Sequence, residues 1–512
     1  MSILKSGLVV AIFTFLSRIF GLLREIVIGS FFGTNMFADC VQTAFKFPNL
    51  FRRVFGEGAL ASSFVPIYSS DLQVSEARGA KFASEVYTLL FISLVILTIL
   101  LQIFMPQIMQ LIAPGFAEDP AKFEMSILLC RITIPYMIFI SMSALLGAML
   151  NSHGRFFPFA FVPVLLNITI MIACLFKGDD TDMAKNISVG ILVGGLCQFL
   201  FMYISARQAK IDFKFVRLKT LSRDSWIFLK NMVPATIGSS VTQINLFISQ
   251  AIASYSPGAI SILSYSDRIY QFPLSIIGIC FGTVLLPSLS ALHKLGKKEE
   301  ALKLQTEAIK LSLVLSFACV AGIIALSHPI MHIIYERGAF TSLDTMKTAD
   351  TIAIFAIGLP AFIINKVLTP IFYARLDTRT PLIITVATIL CNIIANLLLI
   401  KEYEHLGIAI GTSIASWFNV LLLIFFCKIH RIQIVGTNIS KHIIKTIIAC
   451  FAFGSILKLI ANSVPHILYS ESTLIKFSAL LALVGFGIIL YFAICFVLRI
   501  ITRADLKKMF RR

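Results

Sequence analysis

About fourteen apolar runs, each long enough to cross a bilayer as a helix, follow one another through this chain with short interruptions. They lie near residues 8–31, 37–69, 84–113, 126–149, 156–176, 187–206, 226–253, 262–290, 308–335, 349–373, 381–400, 405–427, 442–462 and 475–498. In hydrocarbon each backbone polar group needs a partner within the protein, so the expected fold class is an all-α polytopic membrane protein. Composition agrees, with 58% hydrophobic residues, 14% charged residues and a mean hydropathy of +0.89.

The net charge of +18 reads as topology rather than nucleic-acid binding. Lys and Arg concentrate in alternate connections: Arg78 and Lys81; Arg155; Arg207 to Arg223; Lys294 to Lys303; Arg375 and Arg379; Lys428 to Lys445. With Lys5 and the tail from Arg499 these hold roughly 26 cations against roughly six in the other loops, which places both termini in the cytoplasm. The ten cysteines show no CxxC and no paired extracellular spacing, so free thiols are expected. The first apolar run is too long and too charged for a cleavable signal and is expected to stay in the membrane.

That first run carries Ser17, Arg18, Arg24 and Glu25. Each central charge opposes insertion by about 2.5 to 3.5 kcal/mol, so the three together cost about 8 to 10 kcal/mol. At helical spacing Thr14, Ser17, Arg18, Gly21, Arg24 and Glu25 share one sector of about 120°, while Ile12, Phe13, Phe15, Leu22 and Leu23 cover most of the remainder. Two readings stay open: a polar face lining a chamber, or Arg24 snorkelling while Arg18 pairs with Glu25 as a structural ion pair.

An internal duplication organises the chain. Phe47-Pro48 with Pro66-Ile67-Tyr68-Ser69 resembles Phe272-Pro273 with Pro287-Ser288-Leu289-Ser290. Pro158 with Asn167, after Arg155, resembles Pro381 with Asn392, after Arg375 and Arg379, at a similar offset of about 221 to 225. A six-helix unit returns the chain to its starting side, so the copies are parallel: two six-helix lobes around a central cavity, with two helices appended at the C-terminus. The expected domains are residues 1–212, residues 213–430, and an appended pair with a basic tail over residues 431–512.

Further charges lie inside spans. Asp39, Lys46 and Arg53 are spaced by sevens, with Arg52 adjacent and Glu57 four beyond Arg53. Pro48, Gly56 and Gly58 argue for a broken helix, which is tolerated where backbone lines a cavity; alternatively Arg52 and Arg53 are ordinary cytoplasmic topology determinants. Ser264, Asp267, Arg268 and Gln271 form a stripe before Pro273, where Asp267 either neutralises Arg268 or leaves it for a ligand. Cations exceed acids in this set. Arginine keeps its charge in a poorly solvated cavity and presents a fork matched to phosphate, so an anionic cargo, phosphate or pyrophosphate before carboxylate, is expected.

The stretches "LSRIFGLLREIVIGSFFG", "ADCVQTAFKFPNLFRRVFGEGALASSFVPIYS", "LLGAMLNSHGRFFPFAFVPVLLNI" and "SYSDRIYQFPLSIIGICFGTVLLPSLS" closely resemble the MurJ (MviN) lipid II flippases, over essentially the whole chain. The resemblance implies membership of the multidrug/oligosaccharidyl-lipid/polysaccharide (MOP) exporter superfamily, a bacterial inner-membrane location and a role in peptidoglycan biosynthesis. It implies a cargo of undecaprenyl-pyrophosphate bearing a disaccharide-pentapeptide, with Ser17, Arg18, Arg24, Asp39, Arg52, Arg53, Glu57, Asn167 and Arg268 as its binding residues. It also implies a polyprenyl-tail groove at the appended helices. Some members of the family also resemble sodium-coupled carriers, but no acid stands beside Asn392 and Asn396, so no coupling ion is assigned.

Other functions fit less well. An enzyme acting on the same lipid needs acidic or histidine groups on substantial loops, and those loops are missing here. The eight histidines show no metal-ligand spacing and no GxxxxGK[ST] phosphate loop is present, so catalytic residues, metal and cofactor are all expected to be none. A scaffold for cell-wall assembly proteins, docking them on the last two helices, has no use for charges buried in the first span. Membrane lipids and other cell-wall membrane proteins are the expected partners besides cargo, and nucleic acid is not.

Overall fold

The computed structural model describes residues 3–53, 60–218, 220–436 and 439–501. Among these the regular elements are helices, and no strand occurs. The first part of the chain forms α1 (Ile3–Phe32), α2 (Met36–Phe51), α3 (Leu60–Val74), α4 (Glu76–Ile103), α5 (Met105–Ile112), a 3-10 turn (Pro114–Glu118), α6 (Pro120–Thr133), α7 (Tyr136–Ser152), α8 (Phe157–Ala173), α9 (Asp180–Gln208) and α10 (Arg223–Ala253). The second part forms α11 (Ala259–Lys294), α12 (Lys298–Tyr335), α13 (Ser342–Tyr373), α14 (Arg379–Ile429), α15 (Ile439–Ser463), α16 (Pro465–Leu468) and α17 (Thr473–Val497).

Every expected span is met by helix among its described residues, several of them in two pieces. The run at 84–113 divides because Phe104 leaves helical geometry and Pro106 opens α5, so hydropathy alone overestimates the length of that span. Pro135 similarly separates α6 from α7. By contrast α11 continues through both Pro273 and Pro287. The break foreseen around Gly56 and Gly58 falls outside the described residues, as does Glu57.

At 51 residues α14 would be about 75 Å long if straight, more than twice a hydrocarbon core. It turns instead at Glu404, where φ is 47° and ψ −128°. The two halves then meet: a Cβ on Gly407 would lie 2.6 Å from the Leu399 carbonyl oxygen, and one on Gly411 would lie 2.1 Å from Asn396 Oδ1. Glycines four apart let the backbones approach. The α8–α9 hairpin uses the same device, with Gly190 against Ala173 and Gly194 against Thr169.

By packing, the chain forms two compact units, Met1–Ser261 and Ile262–Arg512. In the first, α1 packs on α8, α2 on α6, and α9 on α7 and α8, while α10 lies against α3, α4 and α5. In the second, α13 packs between α12 and α14, and the C-terminal pair α15 and α17 packs on α12. That last contact buries Val314, Ala321, Phe453, Leu457, Leu480 and Tyr491 in one core, where the Tyr491 hydroxyl donates to the Val314 carbonyl at 2.8 Å.

Local details repeat between the units at an offset of about 222 residues. The α7 end is closed by Gly154 (φ 72°) with Arg155 N–H on the Leu150 carbonyl, and the α13 end by Leu376 (φ 62°) with Asp377 N–H on the Phe372 carbonyl. Lys210 (φ 58°) closes α9 as Arg431 (φ 53°) closes α14. After each, an extended strap is pinned to a helix: Lys214 N–H donates to Ser84 Oγ at 3.1 Å, and Gly436 N–H to Thr306 Oγ1 at 3.0 Å. Left-handed residues other than glycine cost energy, so their recurrence at matching places supports the duplication.

Candidate functional site

The polar sector of α1 faces protein, as the spacing requires. Ile12, Phe15 and Leu23 are exposed on the outer face, while Arg24 and Glu25 are each only 3% exposed. Glu25 is held from two sides, by the Arg24 guanidinium and by Gln42 Nε2 of α2 at 2.7 Å. Arg24 Nη1 also donates to Asn167 Oδ1 of α8 at 3.1 Å, and its guanidinium lies 4.1 Å from the centre of the Phe45 ring. Asn167 Nδ2 in turn donates to the Pro163 carbonyl at 2.9 Å and the Ser17 carbonyl at 3.4 Å.

Four predicted or adjacent residues of α1 and α8 thus meet: Ser17, Arg24, Glu25 and Asn167. Glu25 does so through Arg24 and Gln42. The void left among Arg24, Glu25, Gln42, Phe45 and the isoleucines at 170, 187 and 191 is ≈ 10 Å³, room for no more than about one water. A buried charge this enclosed persists only when paired and hydrogen-bonded.

Asp39 occupies a separate place. It is fully buried near the start of α2, where Oδ2 accepts from Lys122 Nζ at 2.7 Å and Gly258 N–H at 3.0 Å, and Oδ1 from Ser261 N–H and Oγ, both at 2.9 Å. Its carboxylate therefore caps the first turn of α11 from another helix, satisfying N–H groups that a helix start leaves open. Adjacent turns close over it. Gly115 N–H donates to Ser254 Oγ at 2.9 Å, and a Cβ on Gly258 would lie 2.6 Å from the Thr34 carbonyl oxygen.

The remaining predicted residues are spread. Arg18 is partly buried on α1. Arg52 is partly buried, with its Nε donating to Asn49 Oδ1 at 3.3 Å, and Arg53 is exposed. Arg268 is partly buried on α11 in the second unit, one residue from Asp267, whose Oδ2 accepts from Gln271. Sequence reasoning missed Gln42, Phe45, Lys122 and Ser261. Gln42 lies three residues from Asp39 on the same helix face and had a findable signal; Lys122, 83 residues from Asp39, carries none. Among the described residues no cluster of His, Cys, Asp or Glu suits a metal, and the nine described cysteines are free.

The fold recurs in known proteins. The family model described as "Lipid II flippase MurJ" matches residues 28–480. A protein of Rickettsia prowazekii (strain Madrid E) named "Probable lipid II flippase MurJ" is 47% identical over 98% of this chain and 99% of its own length. One of the same name from Rhizobium tropici is 36% identical over 97% of this chain and 95% of its own. Among solved structures, "Lipid II flippase MurJ, inward closed conformation" superposes with a TM-score of 0.80 at 29% identity, covering 95% of this chain and 98% of that one. An inward-facing multidrug resistance MATE transporter of the MOP superfamily matches at TM-score 0.64 and 14% identity over 81% of this chain and 95% of its own, a likeness of fold alone. These relatives are named as transporters and not as catalysts, and this polytopic membrane protein belongs to the lipid II flippase MurJ family.

Proposed function

We propose that this chain carries lipid II, undecaprenyl-pyrophosphate bearing the disaccharide-pentapeptide of peptidoglycan, from the cytoplasmic to the periplasmic leaflet of the inner membrane, with both termini cytoplasmic. The observation that carries this reading is 47% identity over 98% of the chain to a protein named as such a flippase. The chemistry of α1 fits it. A guanidinium buried in a span offers paired donors to a pyrophosphate and stays charged there.

Lobes 1–212 and 213–430 rock about a central cavity and expose it to each side in turn, with 431–512 guiding the polyprenyl tail. Ser17, Arg18, Arg24, Asn167, Arg52, Arg53, Glu57 and Arg268 serve the headgroup. Asp39, with four donors already on its oxygens, is a positioning residue that caps the first turn of α11. Arg24 is held by Glu25 and Asn167. A pyrophosphate competes with Glu25 for the guanidinium, so cargo arrival loosens the internal pair at the moment it binds.

Reconstitution into vesicles with labelled lipid II tests the reading: label moves between leaflets with the native chain and at least about tenfold more slowly with Arg24→Ala, the loss of a charge-assisted bond. Equal movement with protein-free vesicles overturns it.

A further inference from the structure

An apolar cleft with a basic rim lies between α4 and α10. Its walls are Leu90, Leu94 and Leu97 of α4 facing Phe228, Leu229 and Met232 of α10, and it encloses ≈ 80 Å³. One water needs about 10 to 15 Å³, so the space is ample, yet Ser93 is the sole polar side chain among its lining residues. An apolar cavity of this kind stays dry and takes an apolar occupant.

One end of the cleft is closed by the strap joining α9 to α10. Ser222 N–H and Oγ and Ser225 Oγ all donate to Glu85 Oε2, at 3.0, 2.6 and 2.6 Å, fastening the strap to α4 and satisfying that carboxylate. Val216 N–H donates to Thr88 Oγ1 at 3.0 Å, one turn beyond the Lys214–Ser84 bond. Pinned this way, the strap alternates: Ile211 and Phe213 point inward, whereas Asp212, Lys214 and Arg217 point outward. Arg223 and Lys230 continue the exposed cations along α10. Asp224, the nearest acid on that helix, is taken by Arg78 at 2.9 Å. Two aromatic side chains stand among these cations, Phe215 against Tyr87 and Phe91, and Trp226 at 63% exposed. Trp226, whose indole carries an N–H, is of the amphipathic type that settles at the headgroup level of a bilayer.

Apolar cleft, cationic rim and interfacial tryptophan together match one kind of molecule. We propose that this is a binding site for an anionic diacyl phospholipid, with an acyl chain between α4 and α10 and its phosphate held by Lys214, Arg217 and Arg223. A zwitterionic lipid offers the same chains but no net charge for a rim where the described cations Lys214, Arg217 and Arg223 outnumber the exposed acid Asp212 of the strap. The site stands apart from Arg24 and Asn167, and the inference does not depend on the cargo.

Native mass spectrometry of the full chain extracted with phosphatidylglycerol, cardiolipin or phosphatidylethanolamine tests it. The expected result is retention of the anionic lipids, reduced at least about fivefold both by Lys214→Gln with Arg217→Gln and by Ser93→Phe, which fills the cleft without touching the rim. Both variants alter accessible positions, and an unchanged melting temperature shows that each folds. Equal retention of phosphatidylethanolamine, indifference to either variant, or displacement by a polyprenyl phosphate but not by phosphatidylglycerol overturns the proposal. Lipid II movement in the same variants reports separately on the flippase reading, since neither change reaches the Arg24 cluster.

Discussion

Arg24 and Glu25 are neighbours in sequence, and on a helix neighbours diverge by about 100°, so their contact is secured from outside by Gln42 and Asn167. This makes Arg24→Lys an informative change. Lysine keeps the charge but cannot bridge Glu25 and Asn167 with a planar fork. The expected outcome is normal insertion with lipid II movement reduced by about tenfold or more, and near-native rates in vesicles would remove the fork from the mechanism. The Asp39–Lys122 pair behaves differently. Removing one partner of a buried pair strands the other charge, at about 3 to 5 kcal/mol. Asp39→Asn or Lys122→Met alone should therefore lower the melting temperature markedly, while the double substitution recovers part of the loss. Additive losses would show that the two do not act as a pair. The polar sector of α1 was readable because helical periodicity places it. Lys122 was not, since 83 residues separate it from Asp39 and no local pattern records that meeting.

Helix pairing sets the next scale. Gly407 faces backbone: a Cβ there would lie 2.6 Å from the Leu399 oxygen and 2.7 Å from its carbon, with no flexible side chain to yield. Gly485 on α17 meets nothing within 4 Å. Gly407→Ala should thus destabilise by about 1 to 3 kcal/mol through overpacking, whereas Gly485→Ala should be neutral or gain up to about 1 kcal/mol of helix propensity. Thermal unfolding of the purified chain in detergent decides it, and equal effects at the two glycines would refute the close packing of the α14 hairpin. Spans at this scale follow from hydropathy because lipid leaves backbone no other choice. Their internal breaks follow less well. The apolar run to residue 113 shows no interruption in hydropathy, and only Pro106 marks where α4 gives way to α5.

For the whole molecule the duplication was visible in paired prolines and asparagines, and the matching helix ends at Gly154 and Leu376 give it a physical form. The packing of α10 within the first unit was not visible, because hydropathy and loop charge carry no record of which helices touch. The chain passes from one unit to the other inside α11, and the first turn of that helix is the one Asp39 caps. Thr34, Asp39, Lys122, Gly258 and Ser261 all belong to the first unit, so this contact tests whether that unit itself opens during transport. Thr34 and Gly258 offer a way to hold it shut. A Cβ on Gly258 would lie 3.5 Å from that of Thr34, within the range a disulfide spans. The left-handed φ of 73° at Gly258 and the 2.6 Å approach of a Cβ there to the Thr34 carbonyl oxygen both disfavour a side chain, so a melting curve has to show that Gly258→Cys folds before the crosslink is read. In a chain with its ten native cysteines replaced, Thr34→Cys with Gly258→Cys should oxidise readily, lose lipid II movement when oxidised and regain it with reductant. Each single cysteine should remain active under oxidant, which separates the crosslink from the substitutions. Full-rate movement with the crosslink complete would mean that this contact stays shut throughout the cycle and that any alternation of access takes place elsewhere in the molecule.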